Sequence, residues 1–237
     1  MNAFVATMPA VYDRLYGPGE VAEHAAIVAR RGASLVHAER WLSPQGPQLC
    51  VVAEDRPGLL ALVTDALLAQ GMGVQAARAF CRVVGKDRLE AVDFLQLHSL
   101  GSPKGALAQL DDEALPAFVR ALSELISDHA AERAPESTAA WSSSQSSAVT
   151  RVYFEREPPS EGRYLLVVES ADSDGLLHAV SSTLHAHALR IMACEIRTID
   201  GRAHDRFEVE PVAPRFLKDS ELCDVQLAVL EALPASR

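Results

Sequence analysis

The chain has 237 residues, of which 49% are hydrophobic and 23% are charged, a composition typical of folded proteins and too apolar for a disordered chain. Lys and Arg number 22 against 32 Asp and Glu, and the net charge of −10 argues against binding to nucleic acid phosphates or anionic membranes. Aromatic residues make up 5% of the chain, too few to predict a surface on which nucleic acid bases stack.

Cysteine spacing and hydropathy indicate the compartment. The four cysteines are far apart and form no Cys-x-x-Cys pair: Cys50, Cys81, Cys194 and Cys223. This spacing predicts neither a zinc site nor a disulfide framework. No apolar run reaches the roughly 18 residues of a membrane-spanning helix, and the first residues lack the basic start of a secretory signal. We therefore expect a soluble, cytoplasmic protein.

In chain order, residues 1–33 form an N-terminal segment, in which residues 20–29 are predicted to be a helix that ends at Gly32. The rest of the chain contains one pattern twice. The residues around Asp55 (Glu-Asp-Arg-Pro-Gly-Leu-Leu) recur around Asp172 (Ala-Asp-Ser-Asp-Gly-Leu-Leu), 117 residues later. The repeat continues without a gap through the next two elements, which predicts two units of the same fold.

Each unit is predicted to contain two strands, a helix, two further strands and a last helix. In the first unit these elements cover residues 36–40, 49–53, 59–69, 74–83, 89–97 and about 112–131. In the second unit, a helix after Gly175 lies among elements at residues 152–156, 164–168, 191–199, 202–209 and 220–233. Turn residues at 43–47 and 158–162 suit hairpins between the first two strands of each unit.

This order predicts an α+β protein built of two ferredoxin-like units. In a ferredoxin-like sandwich the last strand lies antiparallel beside the first, and a strand that precedes the first through a hairpin can fill the same place. Each β-β-α-β-β-α unit should therefore have a four-stranded antiparallel sheet with two helices on one face. The units are assigned to residues 34–131 and 150–237, joined by a Ser-rich flexible linker over 132–149.

The loop after the second strand has a sequence suited to an anion. Pro57 fits the first turn of a helix because it lacks the N–H that is unpaired there. Gly58 has no Cβ and permits close approach by a ligand or a neighbouring chain. The free N–H groups of the turn and the helix dipole favour a carboxylate.

This loop and helix, followed by residues 71–74 (Gly-Met-Gly-Val), resemble the ACT domain family of small amino-acid-sensing modules. With residues 77–78 (Ala-Arg) and 93–94 (Asp-Phe), the pattern is similar to the paired C-terminal ACT domains of the bacterial PII uridylyltransferases. The resemblance extends over nearly the whole chain. Since the catalytic domains of those enzymes would need several hundred further residues, it implies a non-catalytic regulatory protein with no cofactor and no metal.

The resemblance also implies a ligand and a site. In ACT proteins a small amino acid binds where the loop of one unit meets a strand and helix of its neighbour, and glutamine is the first candidate here because the resembled enzymes sense nitrogen status. The implied ligand-binding residues are Asp55, Arg56, Pro57, Gly58, Leu59, Leu60, Gly73, Val74, Gln75, Asp172, Gly175, Leu176 and Arg190. A homo-oligomer, or a partner protein bound through the sheets, is implied as well.

The second loop departs from the first. Ser173 and Asp174 stand where the first unit has Arg56 and Pro57, so a positive charge is lost and a negative one gained. At roughly 4 Å and an effective dielectric constant near 20, one such charge is worth about 4 kcal/mol. Capture of a carboxylate by the second loop therefore needs compensation from Arg190.

Other interpretations stay open at this level. The first loop can simply shape the turn and cap the helix, in which case the protein is a ligand-free interaction scaffold or a remnant of a uridylyltransferase regulatory region. Residues 172–174 (Asp-Ser-Asp) superficially resemble a metal motif, and so does the pair His204 and Asp205. His204 and Asp205 align with Val92 and Asp93 on a strand, which favours a structural role.

Overall fold

The computed structural model describes residues 3–86, 88–102, 106–129, 150–155 and 162–233. The predicted linker over 132–149 lies outside these residues, as does most of the predicted turn over 158–162. Residues 3–129 are called the first half below, and residues 150–233 the second half. In the described ranges, no helix is long and apolar enough to cross a membrane.

Both halves show the predicted order of elements. After two short 3-10 turns (Val5–Thr7 and Tyr12–Arg14), the first half consists of α1 (Pro18–Arg31), β1 (Val36–Ser43), β2 (Gly46–Glu54), α2 (Leu59–Ala69), β3 (Met72–Val83), β4 (Leu89–Ser99) and α3 (Ala114–His129). The second half consists of β5 (Arg151–Phe154), β6 (Tyr164–Ala171), α4 (Leu176–Ala186), β7 (Leu189–Ile196), β8 (Thr198–Ile199), β9 (Arg202–Pro211) and α5 (Asp219–Ala232).

The α+β class and the antiparallel pairing are confirmed, whereas the arrangement as two ferredoxin-like units, each with its own four-stranded sheet, stays a prediction because the strands of both halves join in one sheet. The strands form one sheet in the order β1-β2-β4-β3-β7-β9-β6-β5, with β8 paired to β9. The two halves join where β3 pairs with β7, from Ala77 opposite Ile196 to Phe80 opposite Ala193. The physical reason is that β3 and β7 are edge strands of their own halves, and their unpaired backbone groups bond to each other. We call this β3–β7 junction the seam.

The strand predicted over 191–199 is also two strands. β7 ends at Ile196, and β8 begins at Thr198 and pairs with β9 alone. The interruption lies at Arg197, whose carbonyl accepts a hydrogen bond from the His204 N–H at 2.8 Å. The chain therefore leaves β3 at this point while staying bound to β9.

One face of the sheet carries the helices of both halves, as predicted for each unit. Alternate strand residues such as Leu49 and Val51 point into a core that includes Leu67 of α2, Leu184 of α4 and Val229 of α5. This core runs through both halves without interruption. The helices thus fix the loops that precede α2 and α4 close to the seam.

The other face is covered in the first half by the N-terminal segment. Tyr12, Tyr16 and His24 pack there against Trp41 and Phe94 in a buried aromatic cluster. The predicted helix over 20–29 lies within α1, and Gly32 follows its last residue with a φ of +53°. The sequence pattern did not indicate that this helix covers the sheet.

Candidate functional site

The two repeated loops have the same backbone geometry. The Leu59 N–H donates to the Arg56 carbonyl at 3.1 Å, and Gly58 has a φ of +84°. These features define a type II turn, in which proline is favoured at the second position and glycine at the third. In the second loop, Gly175 has a φ of +81° and the Leu176 N–H donates to the Ser173 carbonyl at 3.3 Å.

The expectation that Pro57 lies in the first turn of the helix is wrong. α2 begins at Leu59, with Gly58 as its N-cap residue. The left-handed backbone of Gly58 separates the proline turn from the helix, so Pro57 shapes the turn that leads into α2.

The first loop faces the second half across the seam. Asp55, Arg56, Gly58, Leu59 and Leu60 line a cavity of about 30 Å³ together with Ser181 of α4 and with Leu189 and Ile191 of β7. Gly58 is also in close contact with α4, because a Cβ at this position would lie 2.8 Å from the ring of His185. Glycine is therefore required here by both its backbone conformation and its neighbour.

The second loop faces the first half in the equivalent way. Gly175 and Leu176 line a cavity of about 20 Å³ with Thr64 of α2 and with Gly73 and Val74 of β3. The structure therefore divides the residues predicted for the first unit between two cavities. The loop residues other than Pro57 line the first cavity, and Gly73 and Val74 line the second.

Gln75 occupies a different environment. It is the extra residue of a β-bulge between Val74 and Ala76. Its carbonyl accepts a hydrogen bond from Thr198 of β8 at 3.4 Å. Its buried side-chain oxygen has no hydrogen-bond partner in the described part of the chain.

Arg190 lies at the first loop, not at the second loop whose charge it was expected to compensate. Its Nε is 3.5 Å from Oδ2 of Asp55, across the seam. The same Asp55 oxygen accepts a hydrogen bond from the Cys81 thiol at 3.3 Å. Burial raises the pKa of Asp55, and Cys81 and Arg190 oppose that rise.

Arg56 faces a helix end. Its Nη1 donates to the Ile126 carbonyl at 2.7 Å, in the last turn of α3. A guanidinium at this position compensates the partial negative charge of the helix C-terminus. Its Nε is buried, and the described residues offer it no hydrogen-bond partner.

Two buried carboxyl groups near the loops were not predicted as site residues. Asp93 of β4 lines the first cavity, and Asp205 of β9 is its counterpart in the repeat. Burial raises the pKa of each to about 8, and the nearby Asp55 adds to the shift of Asp93. The repeat has aspartate at this position in both copies, and this match was the sequence signal that could have pointed to them.

Two histidine–carboxylate contacts cross between the halves near the second loop, one to the loop itself and one between α4 and α2. His98 Nε2 lies 2.9 Å from Oδ1 of Asp174, so the extra acidic residue of this loop faces a histidine. His178 Nδ1 lies 3.3 Å from Oδ1 of Asp65 and 3.1 Å from the Thr64 hydroxyl. No sequence signal identifies His98 or Asp65, because each finds its partner only after the two halves have joined.

The two loops make reciprocal contacts between the halves. Each loop meets a helix and a strand of the opposite half. The Arg190–Asp55 ion pair crosses the seam at the first loop, and histidine–carboxylate contacts cross it at the second. A cavity needs about 10–15 Å³ of free volume to hold one water molecule. The observed cavities of about 30 and 20 Å³ therefore have room for one or two waters, and a larger ligand requires the halves to separate locally.

Comparison with known proteins gives a distant relative. Over 215 residues, which are 90% of this chain, the sequence is 26% identical to the bifunctional uridylyltransferase/uridylyl-removing enzyme of Phenylobacterium zucineum (strain HLK1). The chain spans 22% of the length of that enzyme. No family model matches the chain, and no solved structure matches it. The similarity to part of a uridylyltransferase is thus confirmed, whereas membership of the ACT family stays a prediction.

Proposed function

We propose that this chain is a non-catalytic regulatory protein of two ACT units that senses a small amino acid at the seam. The observation that carries the proposal is the reciprocal placement of the repeated loops, each against a helix and strand of the opposite half. The similarity to part of a bifunctional uridylyltransferase supports a regulatory origin. Glutamine is the first ligand to test, because that class of enzyme responds to nitrogen status.

Acidic and basic side chains lie at the first cavity, as an α-amino acid requires. Asp55 and Asp93 line the cavity and offer carboxyl groups to an ammonium group. Arg190, whose Nε lies 3.5 Å from Asp55, would offer a guanidinium to a carboxylate once that contact opens. A ligand would enter by separating the contact between Arg190 and Asp55. Binding would therefore favour one packing of the two halves over another, and the coupling between ligand and packing is reciprocal.

Thermal unfolding with each of the twenty amino acids tests this proposal. A ligand at 100 times its Kd stabilises the fold by about 2.7 kcal/mol, which for a chain of this size is a rise in Tm of roughly 5–10 °C. We expect Arg190→Gln to abolish the rise. The control is Arg206→Gln, which removes an ion pair with Glu155 in the second half and should keep the rise. If no amino acid raises the Tm at 10 mM, ligand sensing is contradicted.

A ligand-free interaction scaffold is the second candidate, and a specific observation favours it. The charges at the first loop are already paired inside the protein, Asp55 with Arg190 and Arg56 with the end of α3. Sedimentation distinguishes the two candidates. A scaffold should keep one oligomeric state with and without amino acids, and Arg190→Gln should not change it. A sensor should change its oligomeric mass or its shape when the ligand is added to the wild type, and Arg190→Gln should not respond to the ligand.

A further inference from the structure

A larger cleft lies on the sheet face opposite the helices, where it crosses the seam. Its volume is about 180 Å³, against about 30 Å³ at the first loop. β2, β4, β3 and β7 all contribute to it, so residues of both halves line the same space. This cleft is separate from the cavities at the repeated loops.

Strand register explains the shape of the cleft. Ala76 lies opposite Gln96, and Gln48 comes one residue before Leu49, which pairs with Leu95. On the other side of β3, Ala77 pairs with Ile196, the last residue of β7. Arg197, the next residue along the chain, therefore lies beside Ala76. The side chain of Ala76 is a single methyl group between longer neighbours, which leaves a depression in the sheet surface.

The cleft carries an excess positive charge. Oε1 of Glu195 lies 3.3 Å from Nε of Arg78 and also contacts the guanidinium of Arg197. Two guanidinium groups therefore share one carboxylate, and no second carboxylate belongs to the described lining of the cleft. The ring of Tyr16 lies 5.7 Å from the Arg78 guanidinium carbon. Since the whole chain has a net charge of −10, this is a local reversal of sign.

We propose that this cleft binds a small organic acid with one carboxylate and an amide or hydroxyl group. The fork of N–H groups on Arg197 or Arg78 matches a carboxylate in geometry and charge. The amide side chains of Gln48 and Gln96 can donate hydrogen bonds to the polar end of the ligand and accept hydrogen bonds from it. Such a ligand bridges the two halves on the face away from the Asp55 loop.

The test titrates succinamate, which has one carboxylate and one amide, into the isotopically labelled full chain. We expect saturable NMR shifts of the backbone amides of Ala76, Arg78 and Glu195, with a Kd of about 1 mM. Neutral succinamide should bind at least tenfold more weakly. Arg197→Gln should also weaken succinamate binding at least tenfold, because it leaves Arg78 and Glu195 as a balanced pair. Glu195→Gln should strengthen binding severalfold by freeing both guanidinium groups.

Arg151→Gln is the matched control, because Arg151 is an exposed arginine on the edge strand β5, far from the cleft along the sheet order. It should leave the Kd unchanged. The proposal is overturned if 50 mM succinamate gives no saturable shift, or if Arg151→Gln weakens binding as much as Arg197→Gln. Shifts confined to the Asp55 loop would also overturn it, and would instead bear on the amino-acid site.

Discussion

At the scale of single residues, the most unusual groups are two carboxyls buried within the sheet. Asp205 is fully buried, and among the described residues neither of its side-chain oxygens has a hydrogen-bond partner at bonding distance and angle. Burial raises its pKa, and the nearby backbone of Arg197 opposes that rise. A buried carboxylate without strong partners takes up a proton in preference to staying charged. Asp93 has the same property beside the first cavity. The sheet therefore holds two buried acids with raised pKa values in equivalent places.

The first prediction concerns the pH dependence that Asp205 imposes. Its pKa is about 8 in the fold, against about 4 in the unfolded chain. The folded state binds more protons at this group between these values, so the contribution of Asp205 to the free energy of unfolding falls as the pH rises from 4 to 8. Asp205→Asn should remove this contribution and gain roughly 3–4 kcal/mol at pH 8 relative to pH 5. Urea unfolding at both values measures it.

The control for this measurement is Asp224→Asn, which changes an exposed carboxylate on α5. It should leave the pH dependence as in the wild type. Any fixed cost of burying an asparagine amide is the same at both pH values and cancels in the comparison. Parallel pH profiles for wild type and Asp205→Asn would show that Asp205 is charged in the fold.

The second prediction separates two demands on Gly58. Both Gly58 and Gly71 have a left-handed backbone, with φ of +84° and +71°. A Cβ at Gly71 meets nothing within 4 Å, whereas at Gly58 it meets the His185 ring. Gly71→Ala should therefore cost about 1 kcal/mol for backbone strain, and Gly58→Ala roughly 1–3 kcal/mol more for the clash. Equal costs in denaturant unfolding would mean that α4 does not press on the loop.

At the scale of elements, α1 illustrates how far a pattern predicts a structure. The apolar positions of residues 20–29 indicate a helix, but they do not say which surface it covers. In the fold, α1 buries His24 against Trp41 and Phe94, and Tyr12 is hydrogen-bonded to His24 Nδ1 at 2.6 Å. The N-terminal segment is therefore part of the first half, attached through aromatic contacts and one buried histidine.

The third prediction follows from that histidine. Burial lowers the pKa of His24 to about 4, against about 6.5 in the unfolded chain. The unfolded chain binds more protons between these values, so this group makes the free energy of unfolding rise with pH from 4 to 6.5, by up to about 3 kcal/mol. In His24→Gln this rise should disappear. The control is His37→Gln, because His37 is only half-buried at the sheet edge; it should keep the rise.

The sequence predicted elements better than contacts between them. Apolar residues at helical spacing predicted a helix over 59–69, and α2 has these bounds. Such patterns record which face of an element is buried, so they determine its type and length. The pairing of β3 with β7 depends on free backbone groups at two strand edges, which no side-chain pattern records. For the same reason the partners of Arg190 and His98, which lie across that junction, could not be predicted.

At the scale of the whole molecule, the seam makes one body of two repeats. The sheet continues through β3 and β7, and buried residues of both halves belong to one core. Asp55–Arg190 crosses at the first loop, and His98–Asp174 and His178–Asp65 cross at the second. A cooperative unit of this kind should not lose one half while keeping the other.

The fourth prediction tests this cooperativity. Val180 of α4 is fully buried in the second half, and Val180→Ala should cost about 1–3 kcal/mol. Hydrogen exchange by mass spectrometry should then accelerate in peptides of β2 and β4 as much as in peptides of β6 and β9. The exposed substitution Leu227→Ala on α5 is the control and should change neither set. Acceleration restricted to the second half would mean that the halves unfold independently.

The order of the strands also determines what the connection between the halves does. α3 contacts β1 at one edge of the sheet, while β5 lies at the other edge, so the chain between them must cross roughly 30 Å. Residues 130–149 can extend to roughly 65 Å, which is ample for that crossing. The length of this segment therefore allows the two halves of one molecule to form the seam with each other. A tether too short to cross would instead favour exchange of halves between two molecules, with the same seam formed in a domain-swapped dimer.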